Sequence, residues 1–125
     1  MLVNKVEYGH LISKYHQSEN MMEKARIINV LREDHQVPFN NLADVLFEVE
    51  RQLYRINGLN RLIPEFQDMA TKGQLKRLHA YALSGLQEDV QRTVYQQMKD
   101  YIRKTKHEEF MKTVAIIAKE KKNTN

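Results

Sequence analysis

Residues 41–86 read NLADVLFEVERQLYRINGLNRLIPEFQDMATKGQLKRLHAYALSGL. Short segments with apolar residues at helical spacing are separated here by breaks at Gly58, Pro64 and Gly73. The pattern predicts a short helix, a tight turn and a second short helix, followed by two further helices. Two short helices joined by a tight turn are typical of DNA-binding domains, because the second helix fits the major groove.

The composition favours an all-α globular fold. The 125 residues are 42% hydrophobic and 29% charged, with only four glycines and two prolines to interrupt helices. No apolar run approaches the roughly 18–20 residues that span a bilayer, and the first residues lack the pattern of a signal peptide. The absence of cysteine excludes disulfides and Cys-ligated zinc and favours the cytoplasm. We expect one helical domain over residues 1–125 and no membrane partner.

Apolar spacing also predicts the helices on either side of the central segments. A first helix is expected over Leu2–His16 and a second over about 20–34, where Asn20 and Glu23 have the spacing of a capping box. The shorter helices are expected to start at Val37, to cover 49–57 with a stop at Gly58, to run from Pro64 to Gly73, and to cover Leu75–Ser84.

Two longer helices are expected at the end of the chain. Apolar stripes cover 86–102 and 110–117, and the join between them is expected near Lys104–His107. One continuous helix over 86–122 satisfies the same pattern. The stripes predict core positions, and their length allows a second use as a dimer surface within 87–122.

The helix expected over 49–57 has one apolar and one polar side. Arg51 and Arg55 are four residues apart and share a face, so that either can bind guanine or a phosphate. Gln52 can pair with adenine, and Glu50 can accept a hydrogen bond from cytosine. Many short amphipathic helices have a similar pattern. The candidate DNA-binding residues of this helix are Glu50, Arg51, Gln52, Tyr54 and Arg55.

The residues after this helix carry a more specific pattern. Residues 63–65 read IPE, and residues 72–83 read KGQLKRLHAYAL. This segment resembles the central DNA-binding domain of the ParB family of partition proteins. The pattern of that family is E-G-K-L-S-x-x-H-A-x-A-L, preceded by a motif similar to L-I-P-S. The likeness covers about residues 20–95, with the helix-turn-helix and its support helices within 20–86. The positions that agree in register are Gly73, Leu75, His79, Ala80, Ala82 and Leu83.

The resemblance implies a function for the central segment. It implies that Glu48–Arg55 reads a palindromic, centromere-like site in double-stranded DNA, and that Arg61, Lys76 and Arg77 approach the phosphates. A palindromic site is suited to a homodimer. The resemblance also admits a partition ATPase as a partner and a cytoplasmic location on the nucleoid or a plasmid. The role would be partition or the regulation of a mobile element.

The sequence departs from the family at three places. Phe47 stands where the family usually has glycine in the turn, and Val49 stands where it usually has Ser or Thr before the recognition helix. Phe47 must strain or change the turn, and Val49 cannot cap the helix amides. The family's N-terminal nucleotide-binding domain has no counterpart in this sequence, so that no nucleotide cofactor is expected.

Other functions have weaker support in the sequence. There is no glycine-rich phosphate loop, nucleophile elbow or metal-ligand cluster, so neither an enzyme nor a metal site is expected. His79 is expected to be a packed, hydrogen-bonded residue that orients helices. The alternative function is a non-DNA helical interaction module, such as an adaptor or immunity-type protein. Glu48, Glu50 and a formal net charge of only +4 support this alternative.

Overall fold

The computed structural model describes residues 5–124, and this part of the chain is all-α, as predicted. It contains eight α-helices, two short 3-10 helices and no strand. None of the described helices is both long and apolar enough to cross a membrane. The α-helices are α1 Lys5–Gln17, α2 Met21–Glu33, α3 Phe39–Val45, α4 Glu50–Gly58, α5 Pro64–Thr71, α6 Arg77–Ser84, α7 Glu88–Met98 and α8 His107–Thr124. The 3-10 helices are Leu59–Arg61 and Ile102–Lys104.

The chain divides into two compact units, Met1–Asn60 and Arg61–Asn125. The boundary falls inside the first 3-10 helix, directly after the helix-turn-helix. The helix-turn-helix and the segment that most resembles the ParB family therefore belong to different units. The single domain expected over residues 1–125 stays a prediction.

The first unit is built around α2, against which α4 packs. Leu53 and Ile56 of α4 are buried, as are Ala25 and Ile28 of α2. The predicted cap of α2 is confirmed, because the Asn20 side chain accepts a hydrogen bond from the backbone N–H at residue 23 at 3.0 Å. These contacts support α4 along one face and leave its other face exposed.

The second unit places α8 against α7 and α6. The predicted break near Lys104–His107 is confirmed, and the alternative of one helix over 86–122 is wrong, because α7 ends at Met98. The apolar stripes of α7 and α8 are core, and the homodimer stays a prediction. The buried members of these stripes are Val90, Val94, Met98, Ile102, Phe110, Val114 and Ile117.

Several predicted helix limits differ from those in the structure. The helix predicted to start at Val37 starts at Phe39, and the helix predicted to run from Pro64 to Gly73 ends at Thr71. Residues 2–4 of the helix predicted over Leu2–His16 lie outside the described residues, and this helix ends at Gln17. The predicted end of α4 at Gly58 is confirmed to within one residue, because Gly58 is the last residue of that helix and a 3-10 helix follows directly. The sixth helix starts at Arg77 rather than at Leu75. Within that helix Leu78 is 55% exposed, whereas His79 is fully buried.

Candidate nucleic-acid interface

The turn between α3 and α4 keeps the backbone conformation that glycine normally provides. Phe47 has a φ of 54°, in the left-handed region. Its N–H is bonded to the carbonyl of Asp44 at 3.4 Å, and the N–H of Glu48 is bonded to the carbonyl of Ala43 at 3.0 Å. This pair of bonds ends a helix with a left-handed residue after the cap, a position usually occupied by glycine. The predicted strain at Phe47 is therefore present, at a cost of about 1–2 kcal/mol.

Val49 occupies the N-cap position of α4, where the ParB-like pattern has Ser or Thr. Its backbone is extended, with φ −67° and ψ 139°, and no side-chain hydrogen bond caps the helix. Glu50 in the first turn partly compensates for the missing cap, because a carboxylate interacts favourably with the helix dipole there. The start of α4 is thus held by backbone contacts rather than by a capping side chain.

The exposed face of α4 contains most of the predicted DNA-binding residues. Glu50, Arg51, Tyr54 and Arg55 are exposed, whereas Gln52 is half-buried. Arg51 and Arg55 make no ion pair with any residue in the described part of the chain. Their guanidinium groups can therefore bind an external anion or a base edge without first breaking an internal contact.

Tyr54 makes a contact that sequence spacing did not indicate. Its ring stacks on the ring of Phe39, with centroids 4.2 Å apart. The guanidinium of Arg32, in the last turn of α2, lies over the Phe39 ring at 5.1 Å. This row of three side chains connects α2, α3 and α4 on the surface of the first unit. Only the fold brings residues 32, 39 and 54 together.

Two of the three predicted phosphate contacts are also bonded inside the second unit. The Nε of Arg61 donates to the carbonyl of Ser84 at 3.1 Å, at the end of α6. The Nζ of Lys76 donates to the carbonyl of Thr105 at 3.0 Å. Arg77 is exposed. Arg61 and Lys76 thus stabilise the second unit, and their phosphate contacts stay predictions.

The Lys76–Thr105 bond brings together cations that the sequence analysis did not connect. Four exposed cations lie within two residues of one end of this bond, and none makes an ion pair within residues 5–124. Acidic residues flank them at positions 100, 108 and 109. We call these four residues the basic cluster; they are Arg77, Arg103, Lys104 and Lys106.

His79 is packed as predicted, but the predicted hydrogen bond is wrong. Its ring stacks on Phe110, with centroids 4.1 Å apart, and lies 5.9 Å from the ring of His107. Neither ring nitrogen has a hydrogen-bond partner among the described residues. Burial, and then the nearby charges of Lys76 and His107, lower the pKa of His79 to about 4. His79 is therefore a neutral core residue at pH 7.

The described residues contain no group of three or more His, Asp or Glu side chains that could hold a metal ion. Comparison with protein-family models, with curated proteins and with solved structures gives no match.

Proposed function

We propose that this chain is a ParB-like protein that binds double-stranded DNA sequence-specifically through α4. The observation that carries the proposal is the position of Arg51 and Arg55. Both lie unpaired on the exposed face of a helix whose opposite face packs in a helix-turn-helix. The role in the cell would be plasmid or chromosome partition, with a partition ATPase as a further partner, or the regulation of a mobile element.

The dimensions and chemistry of α4 suit the major groove. Its nine residues make a rod about 14 Å long, and a helix fits a groove about 12 Å wide. Arg51 and Arg55 can each donate two hydrogen bonds to guanine, and Glu50 can accept one from the amino group of cytosine. The stack of Tyr54 on Phe39 holds α3 against α4 and so limits reorganisation on binding.

The distribution of charge suggests that the two units make different kinds of contact with DNA. Residues 1–60 carry seven basic and eight acidic side chains, whereas residues 61–125 carry thirteen basic and eight acidic ones. Phosphate neutralisation supplies a large part of the affinity of DNA-binding proteins. We therefore assign base contacts to α4 and phosphate contacts to the second unit, chiefly through the basic cluster.

The test is selection of bound duplexes from a random-sequence library, followed by affinity measurements on the selected duplex. Arg51→Ala and Arg55→Ala should each weaken binding by about 5- to 150-fold, which corresponds to 1–3 kcal/mol for a base contact. Lys119→Ala, an exposed cation of α8, is the matched control and should bind like the wild type. Circular dichroism checks that all three variants remain folded. Wild-type affinity in both arginine variants would rule out α4 as the reading helix.

The proposal also expects two copies of the chain on DNA. A palindromic selected sequence, with two chains bound per duplex in sedimentation, would support the homodimer. A non-palindromic sequence bound by one chain would refute it.

The second candidate is a protein-interaction module that does not bind DNA. The near-neutral charge of residues 1–60 favours it, because phosphate binding profits from a net positive surface. Electrophoretic mobility on mixed duplex DNA separates the two functions. Retardation at low salt that weakens steeply as salt rises supports DNA binding, and no retardation at low salt supports the interaction module.

A further inference from the structure

Two apolar side chains project into solvent immediately before α4. Phe47 is 88% exposed and Val49 is 74% exposed. Glu48 lies between them and is half-buried. We call Phe47 and Val49 the apolar tip.

Stability does not explain why these residue types occupy the apolar tip. Phe47 has a positive φ that glycine adopts without strain, and Val49 occupies an N-cap that Ser would satisfy. The ring of Phe47 lies beside that of His16 in α1, with centroids 5.8 Å apart, but neither apolar side chain gains much from burial, since both remain largely in water. Both side chains are therefore exposed and available for a contact with something outside the chain.

The helix that follows indicates the kind of contact. Arg51 follows the apolar tip by two residues, and Arg55 lies one helical turn later. Their positive charges favour binding to an anionic duplex. The apolar tip carries no group that binds phosphate, and the carboxylate of Glu48 repels it. The C5 methyl of thymine is the distinctive apolar group that base pairs present in the major groove.

We propose that the apolar tip contacts thymine methyl groups beside the base pairs read by α4. This inference rests on the proposed function and adds a preference for thymine to it. Phe47 and Val49 are then residues that determine sequence specificity, and their local cost is offset only in the complex with DNA.

The experiment uses the duplex selected from the random library, with each thymine replaced in turn by deoxyuridine. The replacement removes one methyl group and leaves the hydrogen-bonding edge and the phosphates unchanged. The wild type should lose affinity about fourfold at each contacted thymine, the value for one buried methyl. The double variant Phe47→Gly, Val49→Ser should bind thymine and uracil duplexes equally.

Two controls make the result specific. Ile116→Ser removes a 58% exposed apolar side chain from α8 and should keep the wild-type preference for thymine. The double variant should unfold at a urea concentration equal to or above that of the wild type, because both new residues suit the local backbone. A loss of thymine preference then cannot come from unfolding.

The outcomes separate this inference from the function on which it rests. A wild type that binds the selected duplex but is insensitive to uracil at every position overturns the thymine contact alone. A double variant that still prefers thymine does the same. A wild type that binds no duplex at low salt overturns both the function and the inference.

Discussion

The ring of Tyr54 in α4 stacks on the ring of Phe39, the first residue of α3, with centroids 4.2 Å apart and planes inclined by 23°. The two residues belong to the two helices of the helix-turn-helix. The stack therefore fixes the position of the candidate reading helix relative to its neighbour. It does so with a side chain that is itself 57% exposed and accessible to a ligand.

We expect the Phe39–Tyr54 stack to contribute to the stability of the first unit. The variants Phe39→Leu and Tyr54→Leu and the double variant form a cycle, measured by urea unfolding. The interaction energy should be about 1 kcal/mol, the value typical of an aromatic pair beyond its buried area. Effects of the two single changes that simply add would show that the stack contributes no stability.

The side chain of Gln91 should be among the most sensitive polar groups of the second unit. It is buried and accepts a hydrogen bond from the N–H of Ile63 at 2.8 Å. It also donates to the carbonyls of Arg61 and Leu86, at 3.2 and 3.0 Å. Gln91→Leu leaves these backbone groups without a partner and should lower the free energy of unfolding by about 3 kcal/mol. Urea or thermal unfolding measures the loss.

The matched control for Gln91 lies on the same helix. Gln96 is exposed, and Gln96→Leu should change the free energy of unfolding by less than about 0.5 kcal/mol. Equal effects of the two substitutions would show that the hydrogen bonds of Gln91 are not important for stability.

The burial of His79 predicts a loss of stability in acid. Its pKa is about 4 in the folded protein and 6.5 in the unfolded chain. The unfolded chain therefore binds a proton first as the pH falls. The contribution of neutral His79 to the free energy of unfolding is fully present above pH 6.5 and is lost as the pH falls towards 4. The loss amounts to about 3 kcal/mol.

His79→Phe tests this origin, because it keeps a ring beside Phe110 and removes the titrating group. The decrease in the free energy of unfolding between pH 6.5 and 4 should become smaller by about 3 kcal/mol. His10→Gln, a change at an exposed histidine of α1, should leave the decrease as it is in the wild type. An unaltered pH profile in His79→Phe would contradict the assignment.

The basic cluster should determine much of the salt dependence of DNA binding. Each phosphate contact contributes about 0.9 to the slope of log K against log salt concentration. The triple variant Arg103→Gln, Lys104→Gln, Lys106→Gln should therefore reduce the magnitude of this slope by up to about 2.7. Lys119→Gln, at an exposed cation of α8, serves as the control and should have little effect. A wild-type slope in the triple variant would show that Arg103, Lys104 and Lys106 do not contact phosphate.

Several elements of the fold could be predicted because their causes are local. The cap of α2 by Asn20 involves residues three positions apart. The end of α5 near Gly73 is similar, since Gly73 has a φ of 72° and its own N–H donates to the carbonyl of Ala70, while the N–H of Gln74 donates to the carbonyl of Met69. The exposed face of α4 follows from the 3.6-residue period and its apolar positions, Leu53 and Ile56.

Other predictions failed because a distant packing partner decides the outcome. Leu78 is apolar but 55% exposed, because α6 buries the face that carries His79, whose ring stacks on Phe110 of α8. The histidine was also expected to be hydrogen-bonded, yet the described groups around it offer its nitrogens no partner. The residue pattern of α6 alone gives no information about which residue of α8 will pack against it.

The sequence by itself determined the helical fold class, most helix limits and the polar face of α4, because neighbouring residues set backbone conformation and amphipathic periodicity. Only the tertiary structure decided which side chains meet. It stacked the ring of Tyr54 on that of Phe39, and it formed the hydrogen bonds from Lys76 to the Thr105 carbonyl and from the Ile63 N–H to Gln91. The physical reason is that these contacts join residues 15 to 29 positions apart. Such contacts form only when the apolar faces of whole helices have packed and excluded water.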